Sequence, residues 1–267
     1  MLEIINLTGM KTSLRNQYKN ASNILARIQL HNKYSHNQYG WFPWIFEQLK
    51  MQDHMKILEI GCGDGSLWLD CDIPKEISVT LSDISSGMIR DVKRRIGRER
   101  KQFSYVSCDC QKLPFLDSEF DLVIANHVLF YCADIEKACN EIVRVLKPKG
   151  KLISATYGKK HMKEISELVT KFDERIVLSS DHLYDRYGKE NGSDILKPRF
   201  SKVEWKQYED SLLVTEAEPL ISYILSCHGN QNQFIVDQYN DFKTYVKQKT
   251  LLGFYVTKDA GIFVAKK

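Results

Sequence analysis

The stretch Lys56-Ile57-Leu58-Glu59-Ile60-Gly61-Cys62-Gly63-Asp64-Gly65-Ser66 decides how the rest of the chain is read. A short apolar run, Ile57 to Ile60, enters glycines at three alternate positions, Gly61, Gly63 and Gly65. Glycine is what a chain uses where the backbone takes positive φ or a ligand approaches closely. The pattern predicts a strand that feeds a helix starting near Ser66. A plain strand-to-helix turn and a ligand-binding loop both fit these residues alone. Glu59 and Asp64 make the loop acidic. A triphosphate is held by backbone N–H groups and a lysine, so this loop suits a ligand with a cationic, hydroxyl-rich end.

From residue 57 onward, strand and helix patterns alternate. Strands are expected at Ile57–Ile60, Ile77–Ser82, Phe103–Cys108, Phe120–Ala125 and Lys151–Thr156. The fourth is nearly all apolar, as a strand buried on both faces should be. Ser85 or Ser86 caps a helix through Arg95. Ile135–Leu146 reads as an amphipathic helix stopped by Lys147-Pro148-Lys149-Gly150. Strands separated by helices imply βαβ units, a parallel sheet and helices on both faces. Ligands in such sheets bind at the carboxyl ends of the strands, where Asp83, Asp109 and Asn126 fall.

Outside this repeat the pattern is looser. Asn20–His31 has helical spacing at Ala21, Ile24, Leu25 and Ile28. An aromatic stretch, Tyr34 to Trp44, follows, and Trp44–Leu49 again reads as helix. Aromatic side chains mixed with Asn, His and Ser can form a lid over a ligand or simply pack the arm onto the core. Helices are expected at His161–Val177, Glu216–Cys227 and Asn232–Lys249, and a strand at Val203–Tyr208. Ser180–Pro198 reads as a polar surface insertion. Phe254–Lys266 reads as two strands joined by an Asp-Ala-Gly turn.

With 267 residues, 43% hydrophobic and 27% charged, the composition is that of a soluble globular protein. A net charge of +4 points to neither a nucleic acid nor an anionic membrane as partner. The basic run Lys93-Arg94-Arg95, with Arg98, Arg100 and Lys101, is read as a solvated helix end. No stretch approaches the ~18–20 consecutive apolar residues of a membrane span. The first residues do not read as a signal peptide. The seven cysteines show no regular framework, which indicates reduced thiols and a cytoplasmic protein. Cys108 and Cys110 form a C-x-C pair without a second ligand cluster, so no metal is expected.

Asp83 lies 22 residues after Gly61, at the end of the second strand. A carboxylate there can accept from both hydroxyls of a ribose, as in dinucleotide folds. NAD is the competing ligand. Its fingerprint, G-x-G-x-x-G, needs glycine at position 66, which is Ser66, and the acidic loop opposes a pyrophosphate.

Glu59-Ile60-Gly61-Cys62-Gly63-Asp64-Gly65 resembles motif I of the class I S-adenosylmethionine-dependent methyltransferases, E/D-x-G-x-G-x-G. Asp109-Cys110-Gln111-Lys112-Leu113-Pro114-Phe115 resembles the adenine-binding stretch, D-A-x-x-L-P-F, with Cys110 in place of alanine. Phe120–Tyr131 is similar to motif IV, and the helix ending in Leu146-Lys147-Pro148-Lys149-Gly150 to motif V. The four lie in order over about residues 56–156. The nearest look is that of small-molecule enzymes of the methyltransferase type 11, ubiquinone/menaquinone-biosynthesis kind.

This resemblance implies a Rossmann-like α/β fold: a mostly parallel seven-stranded sheet with helices on both faces and the last strand antiparallel. An N-terminal arm, residues 1–50, would act as a lid. Residues 51–267 would form the methyltransferase domain, with a helical substrate-cap insertion at about 158–250. It implies S-adenosylmethionine as cofactor, held by Glu59, Gly61, Cys62, Gly63, Asp83, Ile84, Met88, Asp109, Cys110 and Asn126. Asp109 would accept from the adenine amino group, and the Cys110 backbone would meet a ring nitrogen. The acceptor would be a small molecule methylated at O, N or C, lined by Tyr34, Tyr39, Trp41, His127 and Tyr131. His127 is the first candidate base and Tyr131 a wall of the transfer channel; His31 and His36 are further candidates. A non-catalytic cofactor-binding module and an RNA methyltransferase are the rival readings. Asn126-His127-Val128-Leu129 lacks the N/D-P-P-F/Y pattern of nucleobase amino methylation and the Pro-Cys of cytosine carbon-5 enzymes, which argues against nucleic acid.

Overall fold

The computed structural model describes residues 21–267 except Asp70, Arg98, Ser180 and Asp181. Residues 1–20 of the expected arm, Arg98 of the basic run and Ser180 of the polar segment lie outside the described residues, as do the side chains of residues 21–25. In chain order the elements begin α1 (Ala21–Tyr34), α2 (Trp41–Leu49), β1 (Lys56–Ile60), β2 (Ser78–Asp83), α3 (Ser86–Ile96), β3 (Phe103–Ser107) and β4 (Phe120–Asn126). Next come α4 (Ile135–Val145), β5 (Leu146–Tyr157), α5 (Lys163–Phe172), α6 (Leu183–Arg186) and α7 (Gly192–Leu196). The chain continues with β6 (Lys202–Val214), α8 (Ala217–Leu225), α9 (Gln231–Ile235), α10 (Tyr239–Thr250) and β7 (Phe254–Lys266).

These elements divide between two compact units. One comprises Tyr39–Lys159, Leu183–Tyr208 and Ala260–Lys267. The other takes the described residues of Met1–Gln38, Lys160–His182 and Glu209–Asp259. The division differs from the expected boundaries at two places. Tyr39–Leu49 goes with the sheet rather than with α1, and Leu183–Tyr208 also belongs to the sheet unit.

The sheet has seven strands in the order β3-β2-β1-β4-β5-β7-β6, parallel from β3 to β5, with β7 antiparallel to β5. This is the expected Rossmann-like arrangement. Chain direction across the sheet reverses between β1 and β4, where open α/β sheets leave a crevice. The register Ile60↔Ala125 sets Gly61 beside Asn126 at that crevice.

Alternate residues of each strand enter different cores, as a period of two demands. Leu58, Ile60, Val123, Ala125 and Leu152 pack with α4 residues Ala138, Cys139, Ile142 and Val145 on one face. Ile57, Leu122, Ile124 and Ile153 pack with Ile45 and Leu49 of α2 and Val92 and Ile96 of α3 on the other. Each such side chain contributes about 1.5–3 kcal/mol of burial. Capping fixes where the helices begin. Ser85 Oγ accepts the Met88 N–H at 3.3 Å, and Asp134 Oδ1 accepts the Lys137 N–H at 2.9 Å.

The second unit is mainly helical. Leu30 and Tyr34 of α1, Ile165, Leu168 and Val169 of α5, Leu220, Ile221 and Ile224 of α8, and Phe242 and Val246 of α10 form its core. There the Asp210 side chain is fully buried and ion-paired with Lys258; it also accepts from the Ser35 hydroxyl and, at 2.9 Å, from the Asn37 N–H.

Four expectations are corrected. The helix after β1 is only a 3-10 turn, Ser66–Trp68. Arg100 donates to the carbonyl oxygens of Trp68 at 2.7 Å and Cys71 at 3.0 Å, which occupies acceptors a continuing helix would need. The polar segment 180–198 is not a surface insertion. Tyr187 and Leu196 within it are fully buried, with the Tyr187 hydroxyl bonded to Ser154 and its carbonyl accepting from Thr156 Oγ1 at 2.6 Å. Residues 254–266 form one strand rather than two. Asp259 is buried rather than at a turn tip, and Gly261 is there for room: a Cβ on it would stand 2.3 Å from the Lys206 carbonyl oxygen and 2.6 Å from Trp205 Cζ2. The helix expected at 232–249 is broken by a 3-10 turn, Val236–Gln238.

Gly261→Val should therefore destabilise the protein by about 1–3 kcal/mol through overpacking. In urea denaturation the midpoint should fall while the slope stays constant.

Candidate functional site

At the end of β1 all three loop glycines take left-handed backbone, with φ of 62° at Gly61, 54° at Gly63 and 76° at Gly65. A Cβ on Gly61 would lie 1.9 Å from Val128 Cγ2, and one on Gly65 would lie 2.3 Å from Val92 Cγ2. Gly63 differs, because nothing stands within 4 Å of where its Cβ would be. Two of the glycines are thus needed for packing and the middle one leaves an open cradle.

Asp83, the last residue of β2, joins this loop to the start of α3. Its Oδ2 accepts the Gly63 N–H at 3.1 Å and its Oδ1 accepts the Ser85 N–H at 2.8 Å. Burial raises its carboxyl pKa, and these two hydrogen bonds oppose the shift. The Cys62 N–H donates to the Ser82 carbonyl at 2.9 Å, which ties the loop to β2 again.

The expected acidity of the loop is largely cancelled. Glu59 is buried, and its Oε2 accepts the Trp68 indole N–H at 2.6 Å. Desolvation pushes its carboxyl up to about 8 against that hydrogen bond. Near neutral pH it is therefore mostly uncharged. Asp64 is ion-paired with Arg95 and accepts from the Ser66 hydroxyl at 2.6 Å. Asp83 is left as the carboxylate of the cradle itself.

At the end of β3, Asp109 Oδ1 accepts the Gln111 N–H at 2.9 Å, and the Gln111 side-chain amide donates to both carboxylate oxygens. Cys110 Sγ lies 3.2 Å from Cys132 Sγ. At the end of β4, Asn126 Oδ1 is buried and finds no hydrogen-bond partner among the described residues. A buried acceptor without a donor costs about 1–3 kcal/mol unless something fills the place. Ile84 is largely exposed beside Asp83, and Met88 sits on the first turn of α3. The cradle at Gly63, the clamped Asp83 and the orphaned Asn126 oxygen fit a ligand with a hydroxyl pair and further donors, as S-adenosylmethionine has.

His127 follows Asn126 with φ of 55°, a left-handed conformation uncommon outside glycine. Its ring stacks on Trp41 with centroids 5.2 Å apart and an interplanar angle of 28°. The Phe130 ring lies 6.1 Å from it and the Tyr157 ring 6.2 Å. Trp41 also meets Tyr208 edge-on at 5.2 Å, and Tyr131 packs on Phe130 at 4.6 Å. Trp41, His127 and Tyr131 are thus brought into one aromatic wall. Tyr39 is exposed at the entry to α2, and Tyr34 is buried in the core of the helical unit. His31 and His36 also belong to that unit.

Sequence reasoning missed Tyr157, Tyr184 and Tyr208 as neighbours of this wall. Tyr157 ends β5, so the rule that selected Asp83 and Asn126 at strand ends would have found it. Tyr184, whose ring lies 6.4 Å from that of Tyr157, and Tyr208 carry no local signal.

Glu59 also gives the site a pH signature. In the folded protein it keeps its proton up to about 8, whereas an unfolded glutamate releases it near 4.3. Its contribution is therefore complete at low pH and is lost as pH rises through about 8. Glu59→Gln should match wild type in Tm at or below roughly pH 4 and exceed it at roughly pH 9, read by thermal scans across that range.

Residues 58–154 match the family model described as a methyltransferase domain. A sterol 4-C-methyltransferase of Caenorhabditis elegans is 35% identical over 116 residues, covering 41% of this chain and 33% of that protein. A ubiquinone/menaquinone biosynthesis C-methyltransferase of Laribacter hongkongensis is 34% identical over 122 residues, covering 45% of this chain and 50% of that protein. The matched stretches span 28% to 51% of the lengths of the curated relatives. The crystal structure of the YcgJ protein from Bacillus subtilis has a similar fold, with a TM-score of 0.55 at 15% identity, covering 85% of this chain and 97% of that one. Residues 58–154 are thus similar to a methyltransferase domain, carried on a sheet of the Rossmann-like kind.

Proposed function

We propose that the protein transfers the methyl group of S-adenosylmethionine to an O, N or C nucleophile of a small acceptor. The observation that carries this reading is the Asp83 carboxylate, clamped by the N–H groups of Gly63 and Ser85 at the crevice. The clamp fixes its remaining lone pairs toward a ribose diol. Asn126 supplies a waiting acceptor at the end of β4, and Asp109, its carboxylate held by Gln111, is the partner this reading gives the adenine amino group.

S-adenosylmethionine supplies a methyl already activated on a sulfonium. What remains for the chain is alignment, which lowers the barrier by holding nucleophile and methyl in line. The wall of Trp41, His127 and Tyr131 encloses the acceptor, excludes water and offers broad apolar faces to it. His127 stands at its centre and takes a proton where the acceptor must lose one. A compact metabolite suits this wall better than a polynucleotide, since the chain's net charge is only +4. The seven free cysteines suit the cytoplasm, and no helix among the described residues is long and apolar enough to cross a membrane.

Titration calorimetry with S-adenosylmethionine, S-adenosylhomocysteine and NAD tests the cofactor. The first two should bind and NAD should not. Asp83→Ala should weaken binding roughly 10–100-fold by removing hydrogen bonds to a charged acceptor. Binding of NAD alone would overturn the reading. With an acceptor found by a methyl-transfer screen, His127→Ala should lower kcat by roughly 100-fold and flatten its pH profile. Unchanged turnover with an unchanged profile would remove His127 from the proton transfer.

A further inference from the structure

Two loops of the sheet unit meet at a pair of thiols. The loop after β3 carries Cys110 next to Asp109; the turn after β4 carries Cys132 just past the 3-10 turn Leu129–Tyr131. Their Sγ atoms are 3.2 Å apart. Among the described residues no other side chain hydrogen-bonds either sulfur, although Cys132 Sγ also lies 4.0 Å from the Val128 carbonyl oxygen. The loops are already held in register. The Asp134 N–H donates to Gln111 Oε1 at 2.8 Å, and the same Gln111 holds Asp109 through its amide nitrogen. From the other side, Arg186 donates to the carbonyl of Cys132. A disulfide needs sulfurs about 2.05 Å apart, so the pair closes with a contraction of about 1.2 Å and no refolding of either loop.

We infer that Cys110 and Cys132 form a reversible disulfide that couples the redox state of the surroundings to cofactor affinity. The oxidant is a small disulfide such as glutathione disulfide. Cys110, the more accessible thiol, attacks it as thiolate and releases one glutathione. The Cys132 thiolate then attacks the Cys110 sulfur and releases the second. Two thiols of the protein lose two protons and two electrons, and one glutathione disulfide becomes two glutathione thiols. The hydrogen bond with the Cys110 thiol, and then burial, push the Cys132 thiol up, so closure quickens as pH rises.

The effect on affinity rests on the reading above, in which Cys110 presents its backbone to the adenine ring. Pulling Cys110 toward Cys132 shifts its backbone out of the position that makes that contact, and hydrogen bonds weaken steeply with such displacement. The disulfide therefore reports oxidation at the cofactor site while Asp83 and the glycine loop stay in place.

The test treats the full chain with glutathione disulfide at pH 8, alkylates remaining thiols and maps peptides. A Cys110–Cys132 cross-link that dithiothreitol reverses is expected. S-adenosylhomocysteine should bind about fivefold or more weakly to the oxidised protein. Cys132→Ala should bind it like reduced wild type before oxidant and form no intramolecular cross-link after it, stopping at the glutathione mixed disulfide on Cys110. Two results overturn the inference: both cysteines remain free to alkylation, or the oxidised protein binds with unchanged affinity despite the cross-link. If reduced protein binds no S-adenosylhomocysteine, the proposed function fails. The peptide map then still decides whether the disulfide forms.

Discussion

The buried hydrogen bond from Trp68 to Glu59 is the constraint around which the site is arranged. The indole fills the core beside α2 and β3, packing edge-on against Phe46 and Phe103. Its N–H meets the carboxyl at the end of β1 at 2.6 Å. This fixes the chain on both sides of the glycine loop, because Glu59 precedes the loop and Trp68 closes the turn after it. A loop with three left-handed glycines has little intrinsic rigidity. Its shape comes from this anchor, from Val128 and Val92 packed against Gly61 and Gly65, and from Asp83 gripping the Gly63 N–H.

The same anchor changes the electrostatics of the loop. From residue types alone the loop carries two negative charges. In the fold Glu59 is desolvated enough to hold its proton near neutral pH, and Asp64 is neutralised by Arg95. The case against a pyrophosphate ligand then rests less on the charge of the loop. It rests more on Ser66 standing where a dinucleotide loop needs glycine. Residue type states which groups are titratable; burial and partners decide which of them are charged.

The central sheet was legible because its information is local. Phe120–Ala125 is apolar without alternation, Asp134 and Ser85 cap the helices they precede, and glycines sit at alternate positions after β1. Each is read within a few residues. What failed was decided over longer distances. Arg100 stops a helix some thirty residues before it by taking its carbonyl oxygens. Tyr187 sinks a polar segment into the core because Ser154 and Thr156 offer it hydrogen bonds. Gly261 looked like a turn because nothing nearby in sequence reveals Trp205 lying over it.

The sequence by itself determined the order of the strands across residues 57–157, the helices Ser86–Ile96 and Ile135–Val145, and the polar residues at the strand ends. Both follow from periodicity, capping and glycine stereochemistry, which act between near neighbours. Only the tertiary structure decided that Trp41 stacks on His127, that Tyr157 and Tyr208 join that wall, and that Asn126 keeps a buried oxygen without a donor. Those facts depend on which side chains the strand order brings side by side. No local pattern encodes a neighbour that is a hundred residues away along the chain.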